Sequence, residues 1–597
     1  MAPPIDVQAP PQNPTVGRKI FAGGRSRAKK WVRADDDEAQ IRNVRALCAA
    51  VLDTYWSALQ TEAEAVPLPP LIAPYETASL AEPAQSLAER LGQTAARFDP
   101  LEAGYQIGCL YTAILPKSYR SRYGIYYTPP ALTQRLVTAA TSAGVDWRHD
   151  TVLDPACGGG AFLAPVARRM AAARSDDVPG CILDHIAAHL HGYEIDAFGA
   201  WMSRVTLEAA LLDVCRAAGR RLPNVVEVTD SLEHADDNAA FDCVIGNPPY
   251  GKITLSTEQR DTYDRSLFGH ANVYGLFTDL ALRLSSNTGT VAYVTPTSFL
   301  AGQYFKALRG LLGTTAPPVH VDFLSARKGV FEDVLQETLL AVYDTSADRD
   351  RASPVHVLTP EDTGELRVQN AGTFRLPNDP TQPWIIPRSP EQGRLVEGMQ
   401  SMSHRLSDYG YAIRTGPLVW NRHKDQLRAD PGDDTHPLVW AEAVTPDGQF
   451  RFRADKKNHE PYFAPTDDQD WLVVTTPCVL VQRTTAKEQH RRLIAAELPA
   501  DFIRNHGGVV VENHLNMVVR DADDAPVCVS TLAVLLNSEI VDQAFRCISG
   551  SVAVSAYEME ALPLPSPGVM EQIEAAIASG ESRETIERIL QDAYLSA

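Results

Sequence analysis

VLDPACGGGAFLAPVARRM, residues 152–170, decides the architecture. A short apolar run ends at Asp154, a glycine-rich loop follows, and a helical pattern opens near Phe162. Gly158, Gly159 and Gly160 let the backbone approach a ligand closely and adopt positive φ at little steric cost. Working outward, short apolar runs alternate with helical patterns from about residue 123 to 344. The strand candidates are TVLD (151–154), HGYEID (191–196), VVEVTD (225–230), FDCVIGNPP (241–249), TVAYVTP (290–296) and TLLAVYD (338–344). This alternation predicts an α/β fold built on a doubly wound, mostly parallel sheet. In such sheets ligands lie beyond the carboxyl ends of the strands.

Two acids stand at those ends. Glu194 suits hydrogen bonds to ribose hydroxyls, and Asp230 suits an adenine amino group. The dinucleotide fingerprint G-x-G-x-x-G with an acid about 20 residues on is not matched. Nor is the G-K-[ST] of a phosphate-binding loop.

A second motif, FDCVIGNPPYGK (241–252), sets Asn247, Pro248, Pro249 and Tyr250 directly after an apolar strand. An exocyclic amine conjugated to a purine ring is a poor nucleophile. Two acceptors aimed at its hydrogens, the Asn247 side-chain oxygen and the Pro248 carbonyl, would draw its nitrogen toward sp³ geometry. The prolines fix φ near −65° and keep the loop's carbonyls aimed. Such preoriented dipoles need no reorganisation during reaction. Tyr250 offers a π-face to a base, and no covalent intermediate is required.

Together, Asp-Pro-Ala-Cys-Gly-Gly-Gly, Glu194, Asp230 and Asn-Pro-Pro-Tyr, in that order, resemble the γ class (TaqI type) of adenine-N6 DNA methyltransferases of restriction–modification systems. The resemblance implies a class I S-adenosylmethionine-dependent methyltransferase fold. It implies transfer of a methyl group to N6 of a flipped-out adenine, protecting DNA from a cognate restriction enzyme. It carries the cofactor to Tyr127, Thr128 and Pro129 in YGIYYTPPALTQRLV, to Asp154, Pro155, Ala156, Cys157, Gly158, Gly160 and Phe162, to Glu194 and Ile195, to Asp230 and Asn247, and to Phe277 in NVYGLF. It makes Asn247, Pro248, Pro249 and Tyr250 catalytic, with Phe331 of GVFEDVLQETLLAVY stacking on the target base opposite Tyr250. One departure from the family's pattern is the long spacing from Gly160 to Glu194, which implies an inserted segment near 174–189. No metal is expected.

The chain has 597 residues, which predicts several domains. Residues 1–34 read as a disordered basic arm, either touching phosphates or merely solvated, and 35–120 as a helical extension. The catalytic domain is expected at 121–375. A proline-dense boundary, LPNDPTQPWIIPRSP (376–390), follows. An α+β target-recognition domain is expected at 391–567, since HRLSDYGYAIRTGP, VLVQRTT, VENHLNMVV, LLNSEIVDQAFR and EMEALPLPSP resemble that of the TaqI type. C-terminal helices close the chain at 568–597. Base- or phosphate-contact candidates there are Arg414, Arg422, His423, Lys424, Arg483, Asn513 and His514.

Composition sets further bounds. The nine cysteines are scattered and never form C-x-x-C, which points to reduced thiols. No apolar run approaches the roughly 20 residues that cross a bilayer. There is no secretory pattern, so a cytoplasmic protein is expected. The net charge of −20 is unusual for a partner of duplex DNA and demands a local basic surface with steep salt dependence. The expected partners are double-stranded DNA and a separately encoded restriction endonuclease, with a monomeric chain. Rival readings are a fused restriction–modification enzyme, a methylation subunit, or an amine methyltransferase for cytosine, RNA or protein glutamine. The first 120 residues hold no acid cluster with Glu-x-Lys, against the fused nuclease.

Overall fold

A computed structural model describes residues 14–60, 66–237, 239–324, 337–361, 364–485, 490–522, 525–549 and 553–596. The chain divides into two compact units: 1–296 with 310–369, and 297–309 with 370–597.

The first unit is built on a nine-stranded mixed sheet. Its strands, with a small two-stranded ribbon, are β1 (Val152–Asp154), β2 (Leu190–Glu194), β3 (Val226–Val228), β4 (Phe241–Gly246), β5 (Lys252–Ile253), β6 (Ala271–Asn272), β7 (Ser285–Pro296), β8 (Pro318–Leu324), β9 (Thr338–Asp344), β10 (Ser353–Pro360) and β11 (Leu366–Phe374). The sheet order is β11-β10-β8-β9-β7-β4-β1-β2-β3, with β5 and β6 forming the separate ribbon. Strands β3, β2, β1, β4 and β7 run parallel. Strand β9 is antiparallel to both β7 and β8. The strand order reverses direction between β1 and β4, where a doubly wound sheet opens its ligand crevice. All six expected strands are present; β8, β10 and β11 are additional.

Helices precede and cover this sheet: α1 (Pro14–Trp31), α2 (Asp37–Ala58), α3 (Glu82–Ala95), α4 (Pro100–Ile114), α5 (Lys117–Tyr123), α6 (Pro130–Ser142), α7 (Leu163–Ala173), α8 (Pro179–His189) and α9 (Ala197–Ala210). The segment expected as an insertion is α8. Helix α2 starts where Asp36 caps it, accepting from the Ala39 amide at 2.7 Å, with Asp37 and Glu38 in its first turn.

Two expectations are corrected at the N-terminus. The stretch 14–31 is a helix, not a disordered arm, because Phe21 and Ala28, with Val32 just beyond its end, are fully or almost fully buried. The helical extension is also integral to the first unit. Helix α9 buries Ala200 and Leu207 in the sheet core and Phe198, Trp201, Met202 and Val205 in one cluster with α1–α4. Each large side chain so buried contributes about 1.5–3 kcal/mol. The Trp201 indole N–H adds a bond to the Pro69 carbonyl at 2.8 Å.

The second unit combines a four-stranded antiparallel sheet, a five-stranded mixed sheet and several helices. The proline-dense stretch 376–390 belongs to the second unit. Its Trp384 and Ile386 are 1% and 2% exposed, and Trp384 packs on Phe299 and Phe374, all within this unit. Extended proline-rich backbone lines a core well when apolar side chains alternate along it. The last helices, Pro567–Ala578 and Arg583–Leu595, are part of the same core through Ile573, Leu590 and Tyr594. Among the described residues no helix is long and apolar enough to cross a membrane, and all nine cysteines are free.

Candidate active site

The site lies at the carboxyl ends of β1, β2, β3 and β4, in a cavity of about 270 Å³ within the first unit. The floor is the glycine loop. Gly158 and Gly160 take φ of 53° and 84°, a region that side-chain-bearing residues rarely adopt. The loop is tied down where the Cys157 amide donates to the Tyr193 carbonyl at 3.0 Å.

Glu194 joins loop and strand. Its two carboxylate oxygens accept from the Gly158 and Asp196 amides, each at 2.8 Å. Burial pushes this carboxyl up to about 7, against the pull of those amides. The ionised form is the better acceptor for a diol. Affinity for a ribose-bearing cofactor is therefore expected to rise with pH up to about 7 and level off above it. Glu194→Gln is expected to flatten this profile, as read by equilibrium binding across the range. Asp230 caps the short helix after β3, accepting from the Leu232 amide at 3.0 Å, and also lines the cavity.

Asp154 sits behind the loop at 1% exposure. One oxygen accepts from the Ala156 amide at 3.1 Å. Among the described residues the other has no donor. Burial pushes this carboxyl up to about 8. Glu194 and Asp230 at successive strand ends, with the apolar Ile195 and Phe277 on the wall, fit a nucleoside cofactor.

The wall opposite the loop is the second motif. Asn247, Pro249 and Tyr250 line the cavity. The Asn247 amide is oriented from both sides. Its Nδ2 donates to Thr128 Oγ1 at 3.0 Å, and its Oδ1 accepts the Tyr250 hydroxyl at 2.5 Å. Tyr250 also reaches the Val294 carbonyl at 3.1 Å. An amide oxygen has two lone pairs, so Oδ1 retains capacity for one more donor.

Of the expected cofactor residues, Tyr127, Pro155, Ala156, Gly158, Glu194, Ile195, Asp230, Asn247 and Phe277 stand on this wall. Thr128 reaches the site through Asn247. Pro129 is the residue before α6, with its carbonyl accepting from Leu132 and Thr133. Four placements differ from expectation, the first being Asp154, which is 1% exposed and absent from the wall. Cys157 and Phe162 are 2% exposed and belong to the sheet core, and Gly160 faces Ser203 of α9. A loop that turns this sharply points alternate residues inward, so only part of the motif meets the cavity. Pro248 is buried and absent from the wall. Phe331 lies outside the described residues.

The structure also adds residues. Ser121, Arg122, Tyr123, Gly124, Ile125 and Tyr126 form a further wall. Gly124 is held close to the second motif: a Cβ there would lie 2.4 Å from Pro249. Tyr127 fits between Gly108 and Gly159, where added Cβ atoms would come within 2.5 and 2.6 Å of its ring. The aromatic run YGIYY was the available signal. Arg122 and Lys252 put positive charge on the wall.

In the second unit, Arg483, Asn513 and His514 are brought together. Arg483 donates from its backbone to His514 at 2.8 Å and from its guanidinium to the Asn513 carbonyl at 3.2 Å. Arg422, His423 and Lys424 share one turn region, while Arg414 is exposed and pairs with Asp521.

Among the described residues one cluster has metal-ligand geometry: His320, Asp322 and His356. An Arg135 guanidinium nitrogen already sits at its focus, 2.8 Å from Asp322, 3.3 Å from His320 and 3.4 Å from His356. Burial alone would raise Asp322, but bonds from His320, His356 and Arg135 hold it well below the usual carboxylate range. The cluster is a buried ion-pair network.

Residues 216–331 match the family of Eco57I restriction-modification methylases. The chain is 26% identical over 341 residues to the Type II methyltransferase M.BsuBI of Bacillus subtilis, covering 56% of this chain and 67% of that protein. It is 25% identical over 357 residues to the Type II methyltransferase M.PstI of Providencia stuartii, covering 58% and 69%. Its fold is similar to that of MmeI, a Type IIL restriction-modification enzyme solved in complex with DNA, with TM-score 0.53 and 14% identity over 98% of this chain and 95% of that one. In sequence the chain is thus similar to restriction-modification methylases and Type II methyltransferases, and in fold to MmeI.

Proposed function

We propose that the chain transfers a methyl group from S-adenosylmethionine to N6 of an adenine in duplex DNA, and so protects a specific site from a separately encoded restriction endonuclease. The observation that carries this reading is the Asn247 amide, fixed by Thr128 and Tyr250 and presented to a cavity floored by the glycine loop. When bound, S-adenosylmethionine supplies the methyl group. Gly158 would meet it at the loop, Glu194 at its ribose, Asp230, Ile195 and Phe277 at its adenine. Asn247 Oδ1 and the Pro248 carbonyl then accept the two hydrogens of the target amine, which localises the nitrogen lone pair.

A base inside a duplex is out of reach of such a cavity, so the adenine must leave the stack at a cost of a few kcal/mol. Aromatic stacking returns about 1–3 kcal/mol per base, with Tyr250, and Phe331 from the sequence, as the stacking residues. Arg122 and Lys252 supply positive charge for the flanking phosphate. The second unit reads the site, with Arg483, Asn513 and His514 as its base or phosphate contacts. The chain acts as a monomer in the cytoplasm.

The test is incubation with tritiated S-adenosylmethionine and mixed unmethylated DNA, then digestion and nucleoside analysis. Label in N6-methyladenine is the expected result. Label in N4-methylcytosine would keep the mechanism and replace the base. Absence of label in DNA, with cofactor bound, would overturn the substrate.

A further inference from the structure

Helix α1 concentrates positive charge in a chain that is otherwise acidic. Its 18 residues, PTVGRKIFAGGRSRAKKW, carry Arg18, Lys19, Arg25, Arg27, Lys29 and Lys30 and no acid, against a net charge of −20 for the whole protein. Only part of this charge is used inside the fold. Arg18 pairs with Glu102 at 2.8 Å. Lys19, Arg27 and, on α3, Arg90 are exposed, and among the described residues none of them forms an ion pair or hydrogen bond through its side chain.

These three cations surround one concavity of about 250 Å³, lined also by Val16, Ile20, Gly23, Gly24 and Leu87. The two glycines differ. A Cβ on Gly24 would lie 2.8 Å from a terminal methyl of Leu91, so that glycine favours close packing of α1 on α3. A Cβ on Gly23 would meet nothing within 4 Å. Glycine in mid-helix is less stable than alanine, and no contact within the fold explains Gly23. What it does is keep the notch open between Lys19 and Arg27.

We propose that this notch and the exposed face of α1 form a phosphate-binding track for duplex DNA flanking the methylated site, an inference that rests on the DNA reading above. Lys19 and Arg27 are eight residues apart, about 12 Å along a helix rising 1.5 Å per residue. At about 3.4 Å of axis per phosphate on one strand, that distance spans roughly three to four phosphates. A linear polyanion with one charge per about 1.7 Å of axis matches a straight helix carrying only positive charge. The track also supplies the local basic surface that a net-acidic chain needs in order to approach DNA.

The experiment compares the full chain with its Lys19→Gln/Arg27→Gln/Arg90→Gln variant, and separately with Gly23→Glu. It measures affinity for a long duplex as a function of salt, affinity for S-adenosylmethionine, and thermal stability. Loss of three phosphate contacts is expected to lower the slope of log K against log salt by about 2.7 and the low-salt affinity on the order of 10- to 100-fold. Gly23→Glu is expected to weaken DNA binding in the same direction, and cofactor affinity should stay unchanged in both. If the unaltered chain methylates duplex DNA and the variants match its affinity and slope, this proposal is overturned and the surface passes to an acidic protein partner. If the unaltered chain neither binds nor methylates duplex DNA, the proposed function fails first and takes this proposal with it.

Discussion

Asn247→Ala is expected to lower methyl transfer by about 10²- to 10³-fold while leaving S-adenosylmethionine affinity nearly unchanged. The argument is geometric. The amide has one nitrogen and one oxygen, and Thr128 and Tyr250 choose which way round they point. With Nδ2 donating to Thr128, Oδ1 is left to accept at the cavity wall, where a developing positive charge on the target nitrogen is stabilised. Alanine removes that acceptor and leaves the cavity otherwise intact. Glu194, Asp230 and the glycine loop, which are to hold the cofactor, lie on other elements. Single-turnover methyl transfer and equilibrium cofactor binding separate the two effects. Turnover within a few fold of the unaltered chain would remove Asn247 from the chemistry. A matched loss of cofactor affinity would make it a binding residue instead.

The second large effect concerns stability. Asp196 is 4% exposed and caps α9, with its carboxylate accepting from the Phe198 amide at 3.3 Å. It also accepts from Arg45 of α2 at 3.1 Å, from the Tyr111 hydroxyl of α4 at 2.7 Å and from Tyr119 of α5 at 3.4 Å. Arg45 supplies the only cation among these partners. Breaking a buried pair by removing one member leaves an uncompensated charge and costs about 3–5 kcal/mol. Arg45→Met keeps much of the side-chain volume, so packing loss adds little. The variant is expected to lose roughly that much stability in the unfolding transition of the first unit, as seen by chemical denaturation. Cofactor affinity should fall too, because Asp196 also donates its backbone amide to Glu194 and lines the cavity. A loss below about 1 kcal/mol would show that the two tyrosines and the Phe198 amide satisfy Asp196 without a cation.

That network explains why the N-terminal helices belong to the catalytic unit. In the sequence they read as a separate helical extension, since amphipathic periodicity reports that a face is buried without saying against what. Trp201 and Phe198 were unremarkable members of a helical pattern after β2. In the structure they are the surface on which the extension is seated. The run YGIYY marked the wall at 121–126, but nothing local marks Gly124 as the residue that approaches Pro249.

By itself the sequence determined the strand–loop–helix at 152–170, the six principal strands and the two motifs at their carboxyl ends. These rest on local constraints: positive φ at Gly158 and Gly160, fixed φ in Asn-Pro-Pro-Tyr, and short apolar runs that alternate with helical ones. Tertiary structure alone decided the rest. It sent Cys157 and Phe162 into the core and left Gly158 on the wall. It buried Trp384 of the proline-dense stretch in the second unit, and it assigned 297–309 to that unit although the chain before and after belongs to the first. Each of these depends on contacts between residues far apart in sequence, and such contacts leave no period or motif in the chain to read.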